Sequence, residues 1–225
     1  MTDKAALFDL DGTLIESGPG IIAAMRHAMQ AIGAPVAPGT DLAWVVGPPL
    51  ADVFARLLTP LGRTAEIDAA MELYRADYNA GRMFEAAVYP AIRETLAAFA
   101  DAGWTLFVAT SKPQAVARTI LAQHRLTQPF RVIYGAIDDR RLAHKPELIA
   151  HILRAEALDP RRTVMIGDRS FDIAGAHANA VRAIGALWGY GGAAELEQAG
   201  ADALALAPAD LPGAAAGLLQ SGSDA

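Results

Sequence analysis

The chain has 225 residues, of which 53% are hydrophobic and 20% charged, and it contains no cysteine. This composition is typical of a folded globular protein, and it excludes disulfide bonds and thiolate chemistry. A formal net charge of -6 without a dense Lys/Arg stripe argues against a nucleic-acid polymer as partner, but a small anionic substrate stays open if a metal offsets the charge.

The first predicted element is a buried strand, because an unbroken apolar run from residue 5 leads directly into Asp9, Leu10, Asp11 and Gly12. Asp9 and Asp11 are two residues apart, so in extended backbone their side chains point to the same side. Carboxylates held this close repel each other unless a cation lies between them or one takes up a proton. The alternative is a simple strand-ending Asp-Gly turn.

The apolar run around this strand is too short for a signal peptide because Asp9 interrupts it, and no stretch reaches membrane-spanning length. We therefore expect a cytoplasmic protein with no membrane partner. The five histidines are scattered without metal-ligand spacing, so we expect them to be structural. The oligomeric state stays open.

A loop over residues 14–20 is expected to lead into a helix over 21–32 that ends at Gly33. Gly18, Gly20 and Ala23 match the spacing of a dinucleotide-binding fingerprint. The first strand ends too early for these glycines to form the strand-to-helix turn, which argues against that interpretation.

Residues 35–82 show helical periodicity and no convincing strand, and they predict a small all-helical cap domain over residues 17–83. Helices are expected over 40–46, 50–60 and 64–80, with a rigid break at Gly47-Pro48-Pro49 and a second break at Gly62. Such a lid over the strand ends excludes water and selects substrate. The alternative is a fixed helical layer packed on the core.

Residues 1–16 and 84–225 are expected to form the core domain, in which strands and helices alternate. The predicted strands are residues 104–109, 131–134, 163–166, 180–187 and 202–206. The predicted helices are residues 89–102, 113–124, 145–156, 170–178 and a final one from 208, followed by a frayed tail over 221–225. This alternation predicts the α/β class, with a doubly wound parallel sheet and helices on both faces.

Polar residues follow two further strands at the point where each ends. Thr110, Ser111 and Lys112 follow residues 104–109, and Asp168 and Asp172 follow residues 163–166. Ligands of open parallel sheets bind outside the carboxyl ends of the strands, so these clusters are expected to meet Asp9 and Asp11 on one edge.

Oxygen-rich sites of this kind favour Mg²⁺. A hydroxyl at Thr110 and a fixed positive charge at Lys145 would suit a phosphoryl group, whose charge is spread over several oxygens. With no suitable Cys or His, the nucleophile would be a carboxylate, and Asp9 comes first off the strand. Taken singly, Thr110 and Asp172 also fit helix-cap roles, and Lys145 fits a solvated surface charge.

The four clusters resemble the ordered motifs of the haloacid dehalogenase-like (HAD) hydrolase superfamily. These motifs are Asp9-Leu10-Asp11-Gly12-Thr13, Thr110, Lys145 and Gly167-Asp168-Arg169-Ser170-Phe171-Asp172. The helical insert and Trp188-Gly189-Tyr190-Gly191 are similar to the phosphoglycolate phosphatase-like branch, which has a similar group of 5'-nucleotidases.

The resemblance implies an Mg²⁺-dependent phosphatase acting on a small phosphorylated metabolite. Asp9 would become an aspartyl-phosphate, and Asp11 would act as general acid and then as general base. The implied metal ligands are Asp9, Asp11 through its backbone carbonyl, Asp168 and Asp172. Thr110 and Lys145 would bind phosphoryl oxygens, and Ser111 would add a backbone contact.

Several alternatives stay open at this stage. Within the branch, a 5'-nucleotidase or a sugar phosphomutase is possible. Haloacid dehalogenases resemble the nucleophile motif but lack the acid found here at Asp11, and a silent binding module has no need of a general acid. Gly47-Pro48-Pro49-Leu50 and Arg56 are candidate substrate contacts from the cap, with packing or surface roles as the alternative.

Overall fold

A six-stranded, wholly parallel sheet forms the centre of the protein in a computed structural model that describes residues 4–138 and 141–221. In spatial order its strands are β5 (Val132–Ala136), β4 (Trp104–Pro113), β1 (Lys4–Phe8), β6 (Thr163–Gly167), β7 (Arg182–Ala186) and β8 (Ala203–Ala205). Every chain crossover therefore brings the carboxyl ends of the strands to the same edge.

The alternating side chains of β1 pack against helices on both faces of the sheet. Ala6 and Phe8 contribute to one core cluster, and Ala5 and Leu7 to another. The first cluster includes residues of α4 (Ile92–Asp101), α5 (Gln114–Gln123) and α9 (Leu211–Ser221). The second includes residues of α6 (Lys145–Ala155), α7 (Ser170–His177) and α8 (Gly192–Gln198). This arrangement confirms the predicted doubly wound fold.

The segment between β1 and β4 is mainly helical and has its own buried cluster, which includes Met25, Phe54 and Met71. Its helices are α1 (Gly18–Ala31), α2 (Leu50–Leu58) and α3 (Ile67–Ala80), with 3₁₀ turns at Ala43–Val45, Thr59–Leu61, Thr64–Glu66 and Arg82–Phe84. The division into a core domain and a cap over residues 17–83 stays a prediction.

A short antiparallel pair joins the two chain connections between the sheet and this helical segment. β2 (Ile15–Glu16) pairs with β3 (Ala87–Val88), and the Tyr89 N–H donates to the Leu14 carbonyl at 3.2 Å. The outgoing and returning chains are therefore held together beside the catalytic loop after β1. Two-residue strands are too short to leave a periodic pattern, so they were not predicted.

Three predicted elements differ from the structure. The helix expected over 40–46 is only the 3₁₀ turn Ala43–Val45, because the Asp41 carboxylate accepts from the Ala43 N–H at 2.8 Å and Val46 is extended ahead of the proline break. The helix expected from residue 89 begins at Ile92, since Ala91 has a left-handed backbone with φ of 62°. Helix α8 was not predicted.

β4 continues four residues beyond its predicted end and bulges at its final turn. Its register with β5 advances from Thr110 opposite Gly135 to Pro113 opposite Ala136, so Ser111 and Lys112 are extra residues in the ladder. Pro113 is extended and lies before α5 instead of in its first turn. Gly135 makes room for the bulge, because a Cβ there would lie 2.5 Å from the Lys112 carbonyl oxygen.

Two further expectations concern the ends and the exterior of the chain. Residues 222–225 of the expected frayed tail lie outside the described residues. Across residues 4–138 and 141–221, no helix combines the length and the apolar character that a bilayer crossing requires.

Candidate active site

Three carboxylates from the ends of β1 and β6 form the centre of the candidate site. Asp9, Asp168 and Asp172 each place an oxygen within 4.8 Å of the others, and all three residues are at most 3% exposed. The parallel pairing of β1 with β6 causes this proximity, since Phe8 lies opposite Ile166 and the Asp9 N–H donates to the Ile166 carbonyl at 2.9 Å. The expected meeting of these residues on one sheet edge is what the structure shows.

Asp172 has a helix-end role and a site role together. It lies in the first turn of α7, and one of its oxygens accepts from the Arg169 N–H at 3.2 Å. Its other oxygen lies 2.6 Å from the Lys145 ammonium. Gly167 allows this approach, because a Cβ at that position would lie 2.1 Å from the Asp172 carboxyl carbon.

Asp168 is held from above by the loop that follows β7. The Tyr190 N–H donates to Asp168 Oδ2 at 2.7 Å, and the Thr13 hydroxyl lies 3.3 Å from Oδ1. Glycine is needed on both sides of this carboxylate, since a Cβ on Gly12 or on Gly189 would lie within 2.3 Å of Asp168 atoms. The Trp188-to-Gly191 stretch noted in the sequence is therefore part of the site wall.

Lys145 lies among the carboxylates and is not a solvated surface charge. Its ammonium is 2.7 Å from Asp9 and 2.6 Å from Asp172, and it donates to the Ala109 carbonyl at 2.7 Å. The side chain is only 3% exposed. Burial alone would favour the neutral amine, but Asp172 and Asp9 raise the pKa of Lys145 above its usual value.

The site carries more negative than positive charge. Asp9, Asp168 and Asp172 face one lysine, and burial, as the largest effect, raises the pKa of Asp9 to about 7 and that of Asp168 well above its usual value. Buried carboxylates in such a group are stable when a cation shares them. Three oxygen donors with open positions fit a hard divalent cation such as Mg²⁺.

We expect Mg²⁺ to raise the melting temperature of the protein by about 5 °C or more at a concentration near 100 times its dissociation constant, because ligands of the native state stabilise it. Asp168→Asn should remove most of that shift while melting no lower than the wild type in EDTA, because one buried charge is gone. Thermal melts with Mg²⁺, EDTA or K⁺ at matched ionic strength measure this. An equal Mg²⁺ shift in both proteins would contradict the ligand set.

Asp11 lies beside this cluster, but its carboxylate has different partners. Ser17 Oγ donates to one oxygen at 2.6 Å, and the Lys112 ammonium lies 3.0 Å from the other. Asp11 is not among the three described residues whose carboxylates form the metal-sized group. A metal contact from this residue therefore stays a prediction for its backbone carbonyl.

The bulge of β4 places the polar residues that follow this strand. The Thr110 hydroxyl accepts from the Lys112 N–H at 3.2 Å, and Ser111 lines the cavity described below. The Lys112 side chain is 7% exposed, and its ammonium donates to the Tyr78 hydroxyl at 2.9 Å. Lys112 thus connects Asp11 with helix α3.

A cavity of about 360 Å³ opens at Asp11, between the helical segment and the strand ends. Gly47, Pro48, Pro49 and Leu50 line it, as the sequence suggested for the cap loop. Arg56 does not line it, because its guanidinium lies over the Trp44 ring at 4.1 Å from the centroid.

Arg169 joins the metal-ligand loop to this cap loop. Its guanidinium donates to the Val46 carbonyl and lies 3.0 Å from Glu195, and the residue is 7% exposed. A Cβ on Gly47 would lie 2.9 Å from the Arg169 side chain. The residue between Asp168 and the start of α7 is therefore in direct contact with the helical segment.

Sequence analysis left Ser17, Lys112 and Arg169 without a role. The signal for Lys112 was its rarity, since the chain has only three lysines and this one directly follows Thr110 and Ser111. Ser17 gave no signal, because the Asp11 contact depends on the position at which α1 begins. The glycines considered for a dinucleotide fingerprint instead pack closely: the Gly18 N–H donates to the Tyr190 hydroxyl at 2.7 Å.

The family model of haloacid dehalogenase-like hydrolases matches residues 6–186. Among curated proteins, the chain is 40% identical over 188 residues to the tyrosine-protein kinase PtkA of Mycobacterium tuberculosis, and this match covers 84% of the chain and 63% of the kinase. It is 37% identical to a 5'-nucleotidase of Pseudomonas aeruginosa, over 84% of the chain and 85% of that protein. It is 34% identical to a phosphoglycolate phosphatase of Agrobacterium fabrum, over 82% and 81%.

Solved structures show the same architecture. A predicted phosphatase from Clostridium acetobutylicum superposes with a TM-score of 0.88 at 31% identity, covering 98% of this chain and all of the other. The match includes the helical segment as well as the sheet, because it extends over almost the full length of both chains.

Proposed function

The chain belongs to the haloacid dehalogenase-like hydrolase family, in its phosphoglycolate phosphatase-like branch, and from that premise we propose that it is an Mg²⁺-dependent phosphatase of small phosphomonoesters. One observation carries the proposal. Asp9 lies in the carboxylate–lysine cluster, whereas Asp11, two residues later, lies in the cavity with its own partners. The two acids thus have the separate environments that a nucleophile and a general acid need.

In the first step, an Asp9 oxygen attacks phosphorus, and the bond from phosphorus to the leaving oxygen breaks. Asp11 gives its proton to that oxygen, and an aspartyl-phosphate forms on Asp9. In the second step, Asp11 takes a proton from water as the water oxygen attacks phosphorus, and the bond to Asp9 breaks. Ser17 and Lys112 hold the Asp11 carboxyl in position for both transfers.

The other site residues offset charge and bind phosphoryl oxygens in this proposal. Mg²⁺ held by Asp9, Asp168, Asp172 and the Asp11 carbonyl would neutralise charge on the transferred group. Lys145 lowers the repulsion that an anionic substrate meets at Asp9 and Asp172. The Thr110 hydroxyl accepts from the Lys112 N–H, so its own proton is left to donate to a phosphoryl oxygen, beside Ser111.

Three relatives suggest different fates for the phosphoryl group. The 5'-nucleotidase and phosphoglycolate phosphatase names support transfer to water, from a nucleoside monophosphate or from phosphoglycolate. The kinase name raises transfer to tyrosine as a second candidate, since that match covers 84% of this chain. A sugar phosphomutase would return the phosphoryl group to another hydroxyl of its substrate.

We expect phosphate release in Mg²⁺, loss of release in EDTA, and recovery when Mg²⁺ is restored. The measurement is a phosphate assay over phosphoglycolate, nucleoside monophosphates and sugar phosphates, with an ATP and tyrosine-peptide arm. Labelled phosphotyrosine would favour the kinase candidate, and an isomerised phosphosugar would favour a mutase. No release from any compound would count against the phosphatase proposal.

A further inference from the structure

The 360 Å³ cavity is where the organic part of a substrate would lie under the proposed function, on which this inference rests. Asp11, Ser111 and Lys112 form one end of the cavity. Because Asp11 would protonate the oxygen between phosphorus and the leaving group, that group has to extend from Asp11 into this space. The chemistry of the remaining walls therefore selects the leaving group.

Most of those walls are apolar. They come from both the helical segment and the core, and include Ile21, Met25, Val45, Leu50, Val116 and Ile137. About a dozen water molecules would fill this volume at roughly 30 Å³ each, and few of their hydrogen bonds would be met by such walls. A substrate with an apolar body of matching size gains free energy by displacing that water.

Two aromatic rings are fixed in the same wall. Tyr74 and Tyr78, one helical turn apart on α3, stack with centroids 5.4 Å apart and ring planes 13° apart. Phe54 meets the Tyr74 ring edge-on at 6.3 Å, and the Tyr78 hydroxyl accepts from the Lys112 ammonium at 2.9 Å. Both rings line the cavity in positions fixed by these contacts, and offset or edge contact with a flat ring is the geometry they favour.

The charges around the cavity balance. Among the described lining residues, Arg75 and Lys112 carry positive charge, and Asp11 and Asp138 carry negative charge. The Lys112 ammonium lies 3.0 Å from the Asp11 carboxylate. A carboxylate on the leaving group would thus meet no surplus of positive charge among these residues, and burying it against apolar walls costs free energy.

We propose that this cavity selects phosphomonoesters whose organic part carries a flat, uncharged ring, and disfavours small carboxylated ones such as phosphoglycolate. The shared chemistry is a planar ring that enters the apolar space and contacts Tyr74 and Tyr78. Aryl phosphates and nucleoside monophosphates both supply such a ring. Uridine 5'-monophosphate and O-phosphotyrosine separate these two sources in the test.

The test compares kcat/KM in Mg²⁺ for benzyl phosphate, ethyl phosphate and phosphoglycolate. All three leave as primary alkoxides, so the comparison reports the ring and the carboxylate and is little affected by leaving-group acidity. We expect benzyl phosphate to exceed each of the others by about tenfold or more. Equal values, or a preference for phosphoglycolate, would overturn this inference and leave the phosphatase proposal intact.

Variants assign the preference to the cavity. Tyr74→Leu should lower the ratio of benzyl to ethyl phosphate severalfold, and Tyr74→Phe should keep it. Ile137 is 55% exposed at the cavity, so Ile137→Lys should fold and should raise the relative rate for phosphoglycolate. Leu61→Lys, at a position 56% exposed and outside the cavity lining, is the matched control and should change neither ratio.

A binding measurement separates this inference from the proposed function. Calorimetry with benzylphosphonate and ethylphosphonate, which cannot be hydrolysed at the ester position, should show tighter binding of the benzyl compound. If no phosphate is released from any ester but this preference holds, the phosphatase proposal fails and the ring selectivity stands. Equal affinity for the two phosphonates would overturn the ring selectivity.

Discussion

Asp9→Asn is expected to lower kcat for phosphate release by about 10³-fold or more, because the amide oxygen cannot serve as nucleophile in place of the carboxylate. The fold should survive, since Asp9 is 3% exposed and asparagine has nearly the same shape. In EDTA the variant should unfold no more easily than the wild type, because one charge leaves a group of three buried carboxylates. Steady-state kinetics and urea unfolding measure these two effects.

The control for this prediction is Asp101→Asn, which removes an exposed carboxylate at the end of α4 and should keep full activity. Wild-type protein quenched during turnover of labelled substrate should carry a phosphoryl label that hydroxylamine removes, as expected of an acyl phosphate. Asp9→Asn should carry none. A variant that keeps a tenth of wild-type activity, or that still takes up a hydroxylamine-sensitive label, would show that Asp9 is not the nucleophile.

Lys145→Met is expected to abolish activity and to lower the free energy of unfolding in EDTA by about 3–5 kcal/mol, the usual cost of leaving buried charges without their partner. The ammonium lies within 2.7 Å of Asp9 and of Asp172, and all three side chains are at most 4% exposed. Methionine keeps much of the length of the side chain but supplies no charge. Urea unfolding in EDTA and the phosphate assay in Mg²⁺ measure the change.

Two further variants test whether charge explains that loss. Lys145→Met with Asp172→Asn should recover part of the stability but none of the activity, because the double variant has one buried charge fewer. Lys4→Met removes the lysine at the opposite end of β1, where it donates to the Ala102 carbonyl, and should affect activity little. A single Lys145→Met variant as stable as the wild type would refute this electrostatic account.

Much of the sheet could be predicted because each buried parallel strand is a short apolar run with a polar cluster at its end. Asp9 and Asp168 could be expected to meet for the same reason, since the carboxyl ends of parallel strands share an edge. The environment of Asp11 could not be predicted. It depends on Ser17 and Lys112, and these positions follow from where α1 begins and from the bulge in β4.

The other missed features are set by tertiary contacts. β2 and β3 contain two residues each, so no alternation of side chains marks them. Helix α8 begins after Gly191 and has seven residues, of which only Leu196 is buried, so its sequence resembles a loop. The bond from Arg169 to the Val46 carbonyl joins residues far apart in the chain, and no local pattern announces it.

The central place of β1 in the sheet has a consequence for how the chain folds. Its neighbours are synthesised much later, since Ala5 pairs with Thr105 and with Thr163. The apolar segment Lys4–Phe8 leaves the ribosome first and stays unpaired while roughly 100 further residues are made, a period in which it is prone to aggregation. Loops this long make folding slow, and the carboxylate cluster can form only after Asp172 has been synthesised.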